Sequence, residues 1–212
     1  MTGVQTCALP ICPTVQQDVR GIRVNLHYSG ASPWTVSGNT FTNTTTGTPL
    51  SRGIQIISMQ NSSSLTLSNN VVTGYDRGYD LWNCPTANTI TVSGGTVTNC
   101  NNGVFPNNYD GYGPSDAASS DYIIDGVTIT GSVNNGIFVK DNPSNSNNAT
   151  VSAEIKNCTI TGGANGIEVF GSDATANIHS NSATITGASI GVDVNGGTAT
   201  LYRNKKIGRA HV

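Results

Sequence analysis

Charge is scarce in this chain. Only 10% of its 212 residues are Asp, Glu, Lys or Arg, and the formal net charge is −2. Without a stripe of Lys and Arg, the electrostatic footprint of a nucleic-acid binder is missing, so no nucleic-acid partner is expected. No apolar run approaches the roughly 18 residues of a membrane-crossing helix, so no membrane span is expected either. No stretch carries a helical period, a helix cap or a charged amphipathic face, and this excludes helical architectures. The cysteines number five, and the spacing of Cys84 and Cys100 matches no zinc pattern.

What the chain does have is a phrase that recurs. Gly21, Gly53, Gly78, Gly103, Gly136, Gly166 and Gly191 each precede an apolar-x-apolar triplet, at steps of 32, 25, 25, 33, 30 and 25 residues. The triplets run from Ile22-Arg23-Val24 through Ile54-Gln55-Ile56 and Ile137-Phe138-Val139 to Val192-Asp193-Val194. Alternation with β-branched residues signals a strand. Self-similarity at this period signals a solenoid, whose units bury their apolar faces only by stacking on neighbours.

A second strand follows in six units, centred on Phe41, Val72, Val97, Ile129, Ile160 and Ile185. Three residues before each centre stands a turn-forming residue: Gly38, Asn69, Gly94, Gly126, Asn157 or Ser182. The next position forms a turn column of Asn39, Asn70, Gly95, Val127, Cys158 and Ala183, in which Cys158 reads as a small buried thiol. Threonine flanks the centres, at Thr42, Thr73, Thr98, Thr130, Thr161 and Thr186 after them and at Thr40, Thr96, Thr128, Thr159 and Thr184 before, with Val71 the exception. Asn, Thr, Ser and Gly dominate the polar positions, but regular apolar columns argue against disorder. The expected fold class is all-β.

Units of this length, with glycine before one strand and Asn, Gly or Ser before another, resemble the right-handed parallel β-helix of the pectate-lyase-like superfamily. The resemblance implies a solenoid of about seven coils, roughly 34 Å long at about 4.8 Å per coil. It also implies a secreted or cell-surface protein, although that fold serves lyases, hydrolases, epimerases, tailspikes and non-catalytic proteins alike. Cys84 and Cys100 share one unit and could pair; spacing alone does not decide it.

Both ends fall outside the repeat. The opening MTGVQTCALPI and the closing KIGRAHV resemble in-frame translations of a sequencing adapter and its complement. The expected organisation is therefore residues 1–12 as adapter-derived, 13–205 as β-helix repeats in an uncapped fragment, and 206–212 as adapter-derived. On this reading Cys7, Cys12 and His211 carry no meaning. Setting Lys206 and Arg209 aside leaves eight basic residues against twelve acidic ones, a net of −4.

Function should then sit on the outer columns and loops. The outward column of the first strands reads Arg23, Gln55, Asp80, Phe105, Phe138, Glu168, Asp193, and the next reads Asn25, Ile57, Trp82, Asn107, Lys140, Phe170, Asn195. Trp82, Phe105, Phe138 and Phe170 thus fall at nearby outward positions on consecutive coils. Aligned aromatic faces suit stacking on sugar rings, which makes a polysaccharide or other glycan the expected partner; alternatively the rings form a satellite core beneath long loops. Two insertions, residues 107–120 and 141–148, flank this region. The first carries Tyr109, Asp110, Tyr112 and Asp116. Trp82, Phe105, Phe138, Phe170, Tyr109, Tyr112, Asp80 and Lys140 form the candidate ligand-binding set.

The resemblance implies further chemistry. Calcium-dependent pectate lyases place carboxylates around the metal and use a basic residue to remove a proton. Asp110, Asp116, Asp121 and Asp141 could offer oxygens to Ca2+, with Lys140 or Arg77 as base and Asp76 or Asp80 orienting it. No compact acidic triplet appears, so neither a metal site nor a catalytic residue is assigned, and calcium is the sole cofactor considered. Glu168 and Asp193, one coil apart, could serve glycoside hydrolysis. The polygalacturonase signatures are absent, and His27 and His179 lie several coils apart. The expected function is binding, with or without processing, of an extracellular polysaccharide. The alternatives are a non-catalytic structural or adhesive stalk and an ice-binding surface built from the threonine columns.

Overall fold

The computed structural model describes residues 19–26, 33–44, 50–59, 64–82, 89–108, 119–141, 149–182, 184–187 and 189–211. Every helix or strand among them is a strand, and the strands form three parallel sheets of eight, seven and seven members. Each coil contributes one strand to sheet A, then one to sheet B, then one to sheet C. The coil of Arg77–Trp82, Thr89–Ser93 and Thr96–Thr98 shows the plan. The chain is a right-handed parallel β-helix of about seven coils.

The recurring phrase becomes vertical register. In sheet A, Ile22 pairs with Ile54, Ile54 with Tyr79, Tyr79 with Val104, and the column continues through Ile137 and Ile167 to Val192. Val24, Ile56 and Leu81 stack beside it. Phe41, Val72, Val97, Ile129, Ile160 and Ile185 line sheet C. These residues and those of sheet B form one core cluster. Each full burial of an Ile, Val or Leu contributes about 1.5–3 kcal/mol before chain entropy is counted.

The sequence reading found two strands per coil, and the structure has three. Sheet B strands such as Leu65–Ser68 alternate inward and outward, but only two residues separate them from the sheet C strand. The pair therefore reads as one broken stretch. The break is a corner whose first residue is left-handed, with φ of 54–69° at Gly38, Asn69, Gly94, Gly126, Asn157 and Ser180.

Ser180, not Ser182, takes this role in the sixth coil. The strand Ala174–His179 ends opposite Lys156, so Ser180 falls level with Asn157. Asn181, not Ala183, then joins the second corner column; Ala183 lies outside the described residues. Asn181 accepts from the Cys158 backbone N–H at 2.7 Å and donates to Ile155 O at 3.3 Å, tying its own corner to the rung before it. Asn70 and Asn204 act likewise, donating to Val36 O at 2.9 Å and Ile178 O at 2.8 Å.

Of the segments at the ends, residues 1–12 lie outside the described residues. Near the other end, Lys206–Ile207 pairs in sheet C and Ala210–His211 in sheet A.

Candidate functional site

On the outward side of sheet A lies a set of interlocked polar and aromatic side chains. Alternation points Asp80 away from the core, yet it is fully buried. An ionised carboxylate out of water needs several donors, and Asp80 has four. Its Oδ2 accepts from Arg52 Nε at 2.6 Å and Gln55 Nε2 at 3.0 Å. Its Oδ1 accepts from Arg77 Nη1 at 2.8 Å and Trp82 Nε1 at 2.6 Å. Arg52, Gln55 and Asp80 come from two adjacent rungs that parallel pairing holds in register. The same guanidinium groups sit over neighbouring rings: Arg52 is 5.6 Å from the centre of Trp82, and Arg77 is 4.1 Å from that of Phe105. Cation–π attraction and the hydrogen bonds thus fix the indole in one pose.

Three of the four candidate aromatics meet ring to ring. Phe105 and Phe138 have centroids 5.1 Å apart with planes at 55°, and Phe138 and Phe170 are 6.3 Å apart at 70°. Lys140 Nζ lies 5.9 Å from the centre of Phe170. The rings meet edge to face, as aromatic quadrupoles prefer, so they pack against one another as well as facing outward. Phe105 is buried at 4% exposure, which corrects the expectation that all four are open. Trp82, Phe138 and Phe170 keep partial exposure. Tyr109 and Tyr112 lie outside the described residues, as do Asp110, Asp116, His27 and Cys84.

Toward the later coils the same column carries acid. Glu168 pairs with Asp193 on the next rung. Burial raises the Glu168 pKa above 4.5 and Asp193 adds to the rise, while the amides of Asn135 and Asn165 and the charge of Lys140 oppose it.

Asp141, proposed from sequence as an oxygen ligand, is buried and already engaged. Its Oδ1 accepts from Asn108 Nδ2 at 2.7 Å, and its Oδ2 faces the Asp173 backbone N–H at 3.4 Å. Asn108 also donates to Ala149 O at 2.7 Å, so the pair ties together chain segments far apart in sequence. Asp121 sits in sheet B and Asp76 at a corner of the coil. Among the described residues, no three His, Cys, Asp or Glu side chains converge as metal ligands would.

Cys100 and Cys158 are free, buried thiols whose pKa values are pushed up to about 11, chiefly by burial. Thiols so rarely ionised are packing groups, not nucleophiles. His179 contacts Glu154 at 2.9 Å on the outside of sheet B, where it stacks on Tyr202 at 4.7 Å. Sequence reasoning missed Arg52, Gln55 and Asn108 as site residues. Their partners stand 25 to 41 positions away, and only the exact rung alignment reveals them.

A family model described as the right-handed β-helix region matches residues 20–206, and the chain belongs to that family. No curated protein and no solved structure matches the chain.

Proposed function

We propose that this chain binds an extracellular polysaccharide along the outward face of sheet A. The carrying observation is the set of partly exposed rings, Trp82, Phe138 and Phe170, on three rungs of one face beside the cations Arg77 and Lys140. Sugar rings stack on such faces, and the guanidinium and ammonium groups donate to their oxygens. Asp80 serves this reading from beneath: with buried Arg52 it anchors the network, and it positions Arg77 and Trp82, which make contact with the glycan. The protein then works outside the cell or on its surface, where such polymers are met.

The test is retention on a glycan array and in polysaccharide affinity gels. Trp82→Ala and Phe138→Ala should each weaken binding about tenfold, the usual scale for an aromatic anchor. Wild-type retention by both variants would remove sheet A as the site. Processing is assayed separately, through release of ultraviolet-absorbing unsaturated products with and without a chelator.

A second reading rests on sheet C, where Thr42, Thr73, Thr98, Thr130, Thr161 and Thr186 stand in one rank. Hydroxyls repeated at about 4.8 Å can order water. On that reading Thr98→Tyr with Thr130→Tyr abolishes ice-recrystallisation inhibition; no inhibition by the wild type dismisses it.

A further inference from the structure

Away from the aromatic face, at the corner where sheet C hands the chain back to sheet A, lies a cleft of ≈ 480 Å³ spanning four coils. Its lining includes Asn43, Ser51, Thr73, Asp76, Asn99 and Asn101, and much of this polar wall is already tied into place. Ser51 Oγ accepts from the Asp76 backbone N–H at 2.9 Å and faces Asn43 Nδ2 at 3.4 Å. Asn101 Nδ2 donates to Asp76 Oδ1 at 2.8 Å. Buried Tyr75 and the exposed side chain of Val133 add apolar surface. The volume falls within the range of small-molecule sites, and three rung spacings make the cleft roughly 14 Å long.

We infer that this corner is a binding site for a short neutral oligosaccharide, distinct from the sheet A face. The chemistry of the wall selects that class. Amides and hydroxyls offer donors and acceptors side by side, as pairs of sugar hydroxyls require. Asp76 Oδ2 lies 4.0 Å from Arg77 Nε, a separation too long for a hydrogen bond, and can accept from a sugar hydroxyl. Asp76 is the only carboxylate among the described lining residues, and no Lys or Arg is among them. An acidic sugar brings a second negative charge against Asp76, whose own charge already takes the Arg77 guanidinium 4.0 Å away. A divalent cation finds one carboxylate with half its oxygens already used, short of the six to eight ligands calcium takes. The regular turns supply the wall: Ser51, Asp76 and Asn101 each stand just before a sheet A strand in consecutive coils, so the repeat sets polar groups at rung spacing along one edge.

Isothermal titration calorimetry with cellohexaose, xylohexaose and mannohexaose tests the site, with trigalacturonate as the charged comparison. At least one neutral probe should bind the full chain, and trigalacturonate should not compete for that site. Thr73→Trp, on the outer side of its strand, should fill the cleft and weaken the neutral probe about tenfold. Asp76→Asn keeps the shape and should weaken it several-fold. Both variants should keep the polysaccharide retention that Trp82→Ala reduces, which separates failure here from failure at sheet A. Far-ultraviolet circular dichroism and thermal unfolding confirm that each variant folds. The inference is overturned if no neutral probe binds, if trigalacturonate displaces the one that does, or if both folded cleft variants bind it as the wild type does.

Discussion

Asp80 shows how an outward side chain can become structural. Fully buried, its carboxylate is the common acceptor of two guanidinium groups, an amide and an indole. Asp80→Asn leaves the side chain of Arg52, which is 8% exposed, without its counter-charge. Removing one member of a buried ion pair costs about 3–5 kcal/mol, and the partial exposure of Arg77 puts the expected loss near the lower figure. Urea unfolding reads this directly, and a change below about 1 kcal/mol would mean that solvent reaches the network. Glu168 gives a prediction of the opposite kind. Its pKa is raised, mainly by burial, so between its unfolded and folded values the native state holds the extra proton. Stability from this group is therefore lost as pH rises from the ordinary value of 4.5 through the raised one. Glu168→Gln should flatten that stretch of the stability curve above pH 4.5 and leave the neutral-pH protein no less stable. An unchanged slope would show that Glu168 titrates as a solvated carboxyl.

At the level of the strand, the glycine column has a steric cause. A Cβ placed on Gly103 would lie 2.5 Å from Gly136 O and 2.8 Å from the Ile129 side chain, and Gly78 and Gly21 meet the next coil's carbonyl at the same 2.5 Å. The start of the sheet A strand is wedged between the next coil's glycine carbonyl and the sheet C side chain of its own coil, and there is no room for a methyl group. Gly103→Ala should cost about 1–3 kcal/mol, the range for overpacking, as seen in its thermal or urea midpoint. This is why the period was legible without coordinates: the residue that cannot vary sits once per coil, beside apolar residues that stack on their own kind. The threonine strands were legible for the same reason. Sheet B was not, because a two-residue corner such as Asn69-Asn70 merges its strands with those of sheet C. The sixth corner was misplaced by two residues because Ser182 fits the spacing while Ser180 holds the left-handed backbone. The aromatic column was legible as a column, but the burial of Phe105 and the four donors on Asp80 depend on neighbours in other coils, which a linear reading pairs only after every rung is aligned.

For the molecule as a whole, each coil touches mainly the coils before and after it, so stability should behave as a chain of neighbouring interfaces. The core is graded along that chain. Ile54, Leu81, Val104, Ile137, Ile155 and Ile167 are fully buried, whereas the partly buried members of the core are Val19, Val24, Trp34, Val36 and Phe41 in the first coil and Val194, Ala199, Leu201 and Ile207 in the last. Partly buried core residues keep fewer apolar contacts than the fully buried ones of the central rungs. Native-state amide exchange should therefore be slowest in Arg77–Trp82, Asn102–Asn107 and Asn135–Lys140 and faster by orders of magnitude in Trp34–Ser37 and Thr198–Tyr202. A polysaccharide bound across sheet A bridges several rungs at once, so it should slow exchange in the central sheet A strands more than in sheet B at the same coils. Uniform exchange along the rod would mean that the coils open as one cooperative unit. Uniform slowing on ligand addition would place the bound sugar elsewhere than on the aromatic face.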